Sequence, residues 1–148
     1  MVNIYGNGWG KWVGKYPRLI IHNKPLYGKD YVKAINASKI NLCFLRKINR
    51  DEVTSRSVEI PACGGFMLGE RTKRHLDFFA EGTEAEFFDS NEELLQKVKY
   101  YLGNEVSRSK IALAGRERCV QSEYSMRAQL DKMLDVALCV TPSPGDSC

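Results

Sequence analysis

The sequence is poor in the groups that hold metals. His22 and His75 are its only two histidines, and neither stands near Cys or carboxylates at metal-ligand spacing. No Asp-x-Asp pair occurs. The five cysteines, Cys43, Cys63, Cys119, Cys139 and Cys148, form no C-x-x-C pair, and an odd number cannot close into a disulfide framework within one chain, which predicts a reducing, cytoplasmic setting. The opening MVNIYGNGWGKW lacks a basic-then-apolar targeting pattern, and no apolar run approaches the ~20 residues of a membrane helix. A soluble protein without an integral membrane segment is expected. Like charges never run beyond a few residues, and the net charge of +4 comes from 22 Lys and Arg against 18 Asp and Glu. This is too weak and too mixed to argue for nucleic acid, although it suits a ligand carrying phosphates. The absence of a G-x-G-x-x-G turn leading into a helix argues against a dehydrogenase, and the absence of a phosphorylatable-aspartate arrangement against a response regulator.

What is present is a chain of single-domain size with 43% hydrophobic residues, enough for a continuous core. Short β-prone runs at Val2 to Tyr5, Leu19 to Ile21, Ile40 to Leu45, Phe66 to Leu68 and Ala85 to Phe88 alternate with helical patterns. Tyr31, Ala34, Ile35 and Ser38 fall at helical spacing. A helix from about Ser55 to Cys63 is broken near its end by Pro61 and stopped by Gly64-Gly65. Thr72 to Phe79 reads as helix. Ser90 and Glu93 have capping-box spacing, ahead of an apolar stripe of Leu94, Leu95, Val98, Tyr101 and Leu102 that ends at Gly103. Helices from Glu105 to about Gln121 and from Met126 to Leu138, the latter capped by Ser125, complete the pattern. The alternation predicts a Rossmann-like, doubly wound parallel α/β sheet with helices on both faces over residues 1–140, and a disordered tail at 141–148. Ligands of such sheets sit beyond the carboxyl ends of the strands. That directs attention to residues 6–12, where Gly8 lets backbone approach a ligand, and to residues 23–28, 46–54 and 69–72.

Arg46 to Gly65 combines basic residues, a helix start and a carboxylate in the order a nucleoside diphosphate requires. A helix beginning near Thr54 offers N–H groups and partial positive charge to a phosphate. Thr54 and Ser55 add hydroxyls, and Arg46, Lys47, Arg50 and Arg56 add fixed charge. Glu59, further into the helix, suits the two hydroxyls of a ribose. Two competing readings are a surface helix with solvated charges and, separately, a structural Arg56 paired with Glu59 or Glu52. Cys63 has no histidine placed to activate it and fits tight packing before the glycines. Trp9 and Trp12 suit a core or interface at least as well as a stacked ligand. Gly115 inside a helix suits close packing.

R-S-V-E-I-P-A-C-G-G-F-M-L-G-E, Arg56 to Glu70, resembles the signature of the glycosyltransferases related to the spore-maturation protein CgeB, of the GT-B superfamily. The likeness continues in I-Y-G-N-G-W at Ile4 to Trp9, G-K-D-Y-V-K-A-I-N-A-S-K-I-N-L at Gly28 to Leu42, F-F-A-E-G-T-E-A-E-F-F at Phe78 to Phe88 and S-R-S-K-I-A-L-A-G-R-E-R-C-V at Ser107 to Val120. The resemblance implies the nucleotide-sugar-binding, C-terminal half of a GT-B fold, working without a metal or other cofactor. Arg56 is then the leading catalytic candidate, stabilising the departing diphosphate with Arg50 and Lys47 behind it. Superfamily members carry two glutamates separated by seven residues, the first near the donor sugar and the second on the ribose. Glu59 takes the second place, and Asp51, not a glutamate, the first. Tyr27 is implied near the base, and Gly64 and Gly65, with Gly8, complete the expected donor-binding set. The acceptor is not specified, and the resemblance implies that an acceptor domain from a partner subunit, a longer chain or a homo-oligomer completes the site.

Overall fold

The structure is a computed structural model and describes residues 1–139. The tail expected to be disordered, 141–148, lies outside the described residues. The chain divides into two compact units, Met1–Ser38 and the remainder from Lys39.

In the first unit, β1 (Val2–Ile4) pairs in parallel with β2 (Leu19–Ile21), Val2 opposite Leu19 and Ile4 opposite Ile21. The connection turns through Gly8, whose φ of +85° is a conformation that only glycine adopts without strain, and through a 3-10 turn at Gly10–Trp12. Trp12 stacks on Tyr16 with ring centroids 6.3 Å apart, and the ammonium groups of Lys11 and Lys15 lie 5.4 and 4.9 Å from its ring. Trp12 is thereby engaged within its own unit. α1 (Gly28–Ala37) follows, with Tyr27 at its N-cap position and Ile35 buried.

The second unit is built on a parallel sheet in the order β3 (Asn41–Cys43), β4 (Met67–Glu70), β5 (Glu86–Phe88). Registers of Cys43 with Gly69 and of Gly69 with Phe87 put these residues on one face, while Leu42, Leu68 and Glu86 line the other. Helices cover both faces. On the first, α2 (Ser55–Ala62) and α3 (Lys73–Phe78) bring Ser57 to 3.8 Å from the Cys43 sulfur and stack His75 on Phe87 at 5.2 Å. On the second, Phe66, Leu68 and Phe88 pack with Tyr101 of α4 (Asn91–Gly103) and Ile111 of α5 (Glu105–Gln121), flanked by Leu94 and Val98. Strands buried on both faces read as continuous apolar runs, as FMLG does here. α6 (Met126–Cys139) ends the described chain, with the Ser125 hydroxyl accepting the Ala128 N–H at its start. No described helix is long and apolar enough to cross a membrane.

The helix limits follow from end chemistry. Gly64 at φ +81° sends its N–H to the Pro61 carbonyl at 2.7 Å, and Gly65 sends its own to Ile60 at 3.0 Å. Together these satisfy the last carbonyls of α2 in a Schellman arrangement. α4 begins at Ser90, whose hydroxyl accepts the Glu93 N–H at 3.1 Å, but the Glu93 carboxylate reaches one residue further back than a capping box requires, to the Asp89 N–H at 2.8 Å. Its apolar stripe is also narrower than the sequence predicts. Leu94, Val98 and Tyr101 face the core, whereas Leu95 and Leu102 are exposed.

Candidate functional site at the carboxyl edge of the sheet

The chain leaves β3 at its carboxyl end, crosses residues 44–54, and enters α2. Both feet of this loop are tied to the strand and helix beside it. The Leu45 N–H donates to the Glu70 carboxylate at 2.7 Å, and the Thr72 hydroxyl donates to the Glu52 carbonyl at 2.7 Å. Between them lies a 3-10 turn at Lys47–Asn49, closed by Arg50 in the left-handed region at φ +54°.

The first turn of α2 is held from below. Thr54 occupies the N-cap position with extended backbone, and its N–H donates to the Ser57 hydroxyl at 3.0 Å. Ser57 and His75 are both 0% exposed, with Ser57 Oγ 2.7 Å from His75 Nε2. His75 Nδ1 lies 2.7 Å from the Glu70 carbonyl oxygen. A carbonyl can only accept, so Nδ1 carries the proton, Nε2 is the acceptor, and the Ser57 hydroxyl donates to it. Burial holds the imidazole below its ordinary pKa, outweighing the Glu70 carbonyl and carboxylate, which favour the charged form. The ring is neutral near pH 7. Thr72, the N-cap of α3, accepts the His75 N–H at 3.0 Å, which fixes the ring's own helix.

Above this support lies positive charge. Arg46, Lys47, Arg50 and Arg56 are exposed, and none has an acidic partner among the described residues. No ion pair joins Arg56 to Glu52 or Glu59 among the described residues, but Glu59 has a partner of its own, and exposed cations are equally what a surface helix with solvated charges presents. The N–H groups of Ser55 and Arg56, at the first two helical positions, have no intrahelical acceptor by geometry. Fixed cations and a helix N-terminus thus share one segment. Asp51 lies at the same end, half-buried, and Glu59 is exposed five residues into the helix from Thr54.

Not every residue expected at the site is gathered there. Gly64 and Gly65 stand at the other end of α2, about 12 Å along the helix, where they terminate it. Gly8 and the 78% exposed Tyr27 belong to the first unit, so their placing beside α2 is an expectation from the sequence, not an observation. Cys63 is a thiol pushed further from ionisation, first by burial and then by the Glu59 charge, in keeping with its dismissal as a nucleophile. His75 and Ser57 were missed. The histidine is isolated only in sequence, and the available signals were the cap spacings Thr54-x-x-Ser57 and Thr72-x-x-His75.

A second charged cluster lies on the α4 side. Arg71 donates to Glu81 and Glu93, each at 2.6 Å, and pairs with Asp89. Lys97 bonds Glu86 at 2.6 Å and Glu81 at 2.9 Å, and the Tyr101 hydroxyl donates to Glu86 at 2.6 Å. Lys97 also donates to the Phe87 carbonyl at 2.6 Å and Arg71 to the same carbonyl at 3.2 Å, protecting strand β5 from pairing with another chain. An open recess of ≈ 310 Å³ beside this cluster is lined by Glu81, Glu86, Gln96, Lys97, Tyr100 and Tyr101. It shares no residue with the loop and α2. Its carboxylates oppose a diphosphate, so the recess is not a site for one.

A parallel α/β sheet covered on both faces, with an anchored basic loop and a helix N-terminus at its carboxyl edge, defines a Rossmann-like domain of the kind that binds nucleotides. A family model described as glycosyl transferase-like matches residues 1–135, and the chain belongs to that family. No curated protein and no solved structure matches it. Glycosyl transfer is therefore the general chemistry with which this fold is associated here.

Proposed function

We propose that the chain binds the donor of a glycosyl transfer, a nucleotide-activated sugar, through the loop after β3 and the start of α2. The observation that carries this reading is the set of exposed cations without acidic partners, Arg46, Lys47, Arg50 and Arg56, on the segment that opens α2. Arg56 stabilises the charge that develops on the departing diphosphate, with Lys47 and Arg50 assisting. Such electrostatic stabilisation acts without a metal. The Ser55 and Arg56 N–H groups and the Thr54 and Ser55 hydroxyls receive phosphate oxygens. Glu59 accepts the ribose hydroxyls, and Asp51 lies toward the sugar. Glu59 is assigned by its position in the signature, whereas the assignment of Tyr27 to the base rests on its place in the chain and not on a motif. The kinship to CgeB-related enzymes belongs to this reading, as does an acceptor surface supplied by another domain or subunit.

The test is binding of UDP, GDP, ADP and CDP, and of the corresponding sugars, followed by calorimetry and thermal shift. Arg56→Ala is expected to weaken the best ligand by about tenfold, the size of one charge-assisted contact of about 1.5–3 kcal/mol reduced by exposure. Glu59→Ala is expected to weaken nucleotides but not inorganic diphosphate. If no nucleoside diphosphate or nucleotide sugar binds, the reading fails. The rival is then a non-catalytic association module, which the exposed Met126, Leu130, Met133 and Leu134 of α6 would favour through partner-dependent assembly.

A further inference from the structure

We propose that His75, acting through Ser57, is a positioning residue for the donor site: the neutral imidazole locks the first turn of α2 onto the sheet, and its protonation releases that turn. The proposal rests on the donor reading above for its consequence, and on the buried network alone for its mechanism.

The network has one arrangement when the ring is neutral. The Glu70 carbonyl, 2.7 Å from Nδ1, fixes the tautomer, so Nε2 offers a lone pair. The single Ser57 proton goes to Nε2 at 2.7 Å, which leaves a Ser57 lone pair aimed at the Thr54 N–H, 3.0 Å away. One hydroxyl therefore ties the N-cap of α2 to the ring of α3. That ring is in turn fixed by β4 and stacked within 12° of parallel on Phe87 of β5.

Protonation turns Nε2 into a donor. The Ser57 proton then loses its acceptor, and the nearest replacement within the network is the weakly accepting Cys43 sulfur at 3.8 Å. The new charge has little to meet it. β3 presents Cys43, β4 presents Glu70, and α2 and β5 present only the uncharged Ser57 and Phe87. The Glu70 carboxylate, which also accepts the Leu45 N–H at 2.7 Å, attracts that charge by less than burial opposes it. A buried cation without a dedicated anion draws in water. The element ends beside the ring are the first turn of α3, to which His75 itself belongs, and, across the Ser57 bond, the first turn of α2, which carries Thr54, Ser55 and Arg56. Loosening that turn also frees the basic loop that precedes it. The depressed affinity of the buried ring for protons agrees with this, because the native packing disfavours the charged form.

The experiment uses the full chain, isotope-labelled, as wild type, His75→Gln and Ser57→Ala, titrated by nuclear magnetic resonance from about pH 7.5 down to about pH 4, because burial moves the His75 switch below the ordinary histidine range. A ring that stays neutral throughout would overturn the proposal. Glutamine supplies an acceptor that does not titrate. In the wild type, the Thr54, Ser55 and Arg56 amides are expected to shift with the same midpoint as the His75 ring. Below that midpoint, the exchange protection of Thr54 should fall by about tenfold per pH unit. In His75→Gln the three amides should not titrate. In Ser57→Ala the Thr54 amide, which loses its acceptor, should be unprotected throughout, with the rest of the fold intact. Affinity for the best of UDP, GDP, ADP and CDP should fall through the same window in the wild type more steeply than in His75→Gln, which corrects for titration of the phosphate itself. Amides that stay silent while His75 titrates, or that vanish together with every other amide in global unfolding, would overturn the proposal. Absence of nucleotide binding at every pH would instead refute the donor reading, with the amide titration still deciding the latch.

Discussion

Gly115→Ala should destabilise the protein, although the same change at an open helical position stabilises. Alanine is favoured over glycine inside a helix by about 1 kcal/mol. At Gly115, however, an ideal Cβ would lie 2.3 Å from the Glu84 carbonyl oxygen and 3.4 Å from Pro61 Cβ. Carbon–oxygen contacts settle near about 3.3 Å or beyond, so α5 and the Glu84 backbone must part by roughly 1 Å. The obstacle is main chain and cannot rotate away, which places the change at the upper end of overpacking costs, about 3 kcal/mol. Subtracting the propensity gain leaves about 2 kcal/mol of destabilisation, or on the order of 6–8 °C in Tm for a chain of this size. Gly103→Ala is the control, because a Cβ at that position would meet no atom within 4 Å, and it should be neutral or stabilising by up to about 1 kcal/mol. Urea unfolding of both variants checks the difference. Equal stabilities, or a more stable Gly115→Ala, would refute the close approach of α5 to the Glu84 backbone. The contact also matters to the site. α5 backs α2 through Gly115 and Pro61 and through the Cys119 thiol, 3.8 Å from the Val58 carbonyl, so displacing α5 loosens the helix that carries Thr54 to Glu59.

Acid should expose the second charged cluster. The Arg71 guanidinium, followed by the Asp89 N–H, holds the Glu93 carboxyl down to about 2 from 4.5, and Arg71 lowers Glu81 in the same direction. Folded-state values below the unfolded ones mean that this stability is present above about pH 4.5 and is lost as pH falls toward about 2. Arg71→Met should therefore cost about 2 kcal/mol at neutral pH, less than a fully buried pair because these groups are partly solvated. It should also flatten the acid limb of a stability-against-pH curve. An acid limb unchanged in slope would show that the pairs are not formed in solution. Ser90→Ala removes the acceptor of the Glu93 N–H and should cost about 1 kcal/mol by denaturant unfolding. A loss below about 0.3 kcal/mol would show that the Glu93 carboxylate on Asp89 alone caps α4.

The starts of α2, α4 and α6 and the end of α2 could be read from the sequence because end chemistry is local. Thr54, Gly64, Ser90 and Ser125 each act within a few residues of themselves. His75 could not be read, because its role depends on register. Cys43, Gly69 and Phe87 must align across three strands before Ser57 of one helix and His75 of another can meet over that face. The same distinction governs the charges. Arg56 and Arg71 lie fifteen positions apart on either side of β4 and look alike as basic residues beside acidic ones. In space, Arg71 is enclosed by Glu81, Asp89 and Glu93, whereas Arg56 has no acid among the described residues. An arginine neutralised by three carboxylates gives a phosphate little net attraction, and an unpaired one beside a helix N-terminus retains its own. What separates Arg71 from Arg56 is therefore the placement of acidic side chains, which follows from how β4, β5 and α4 pack, and the proposed role of Arg56 toward an anion rests on that difference.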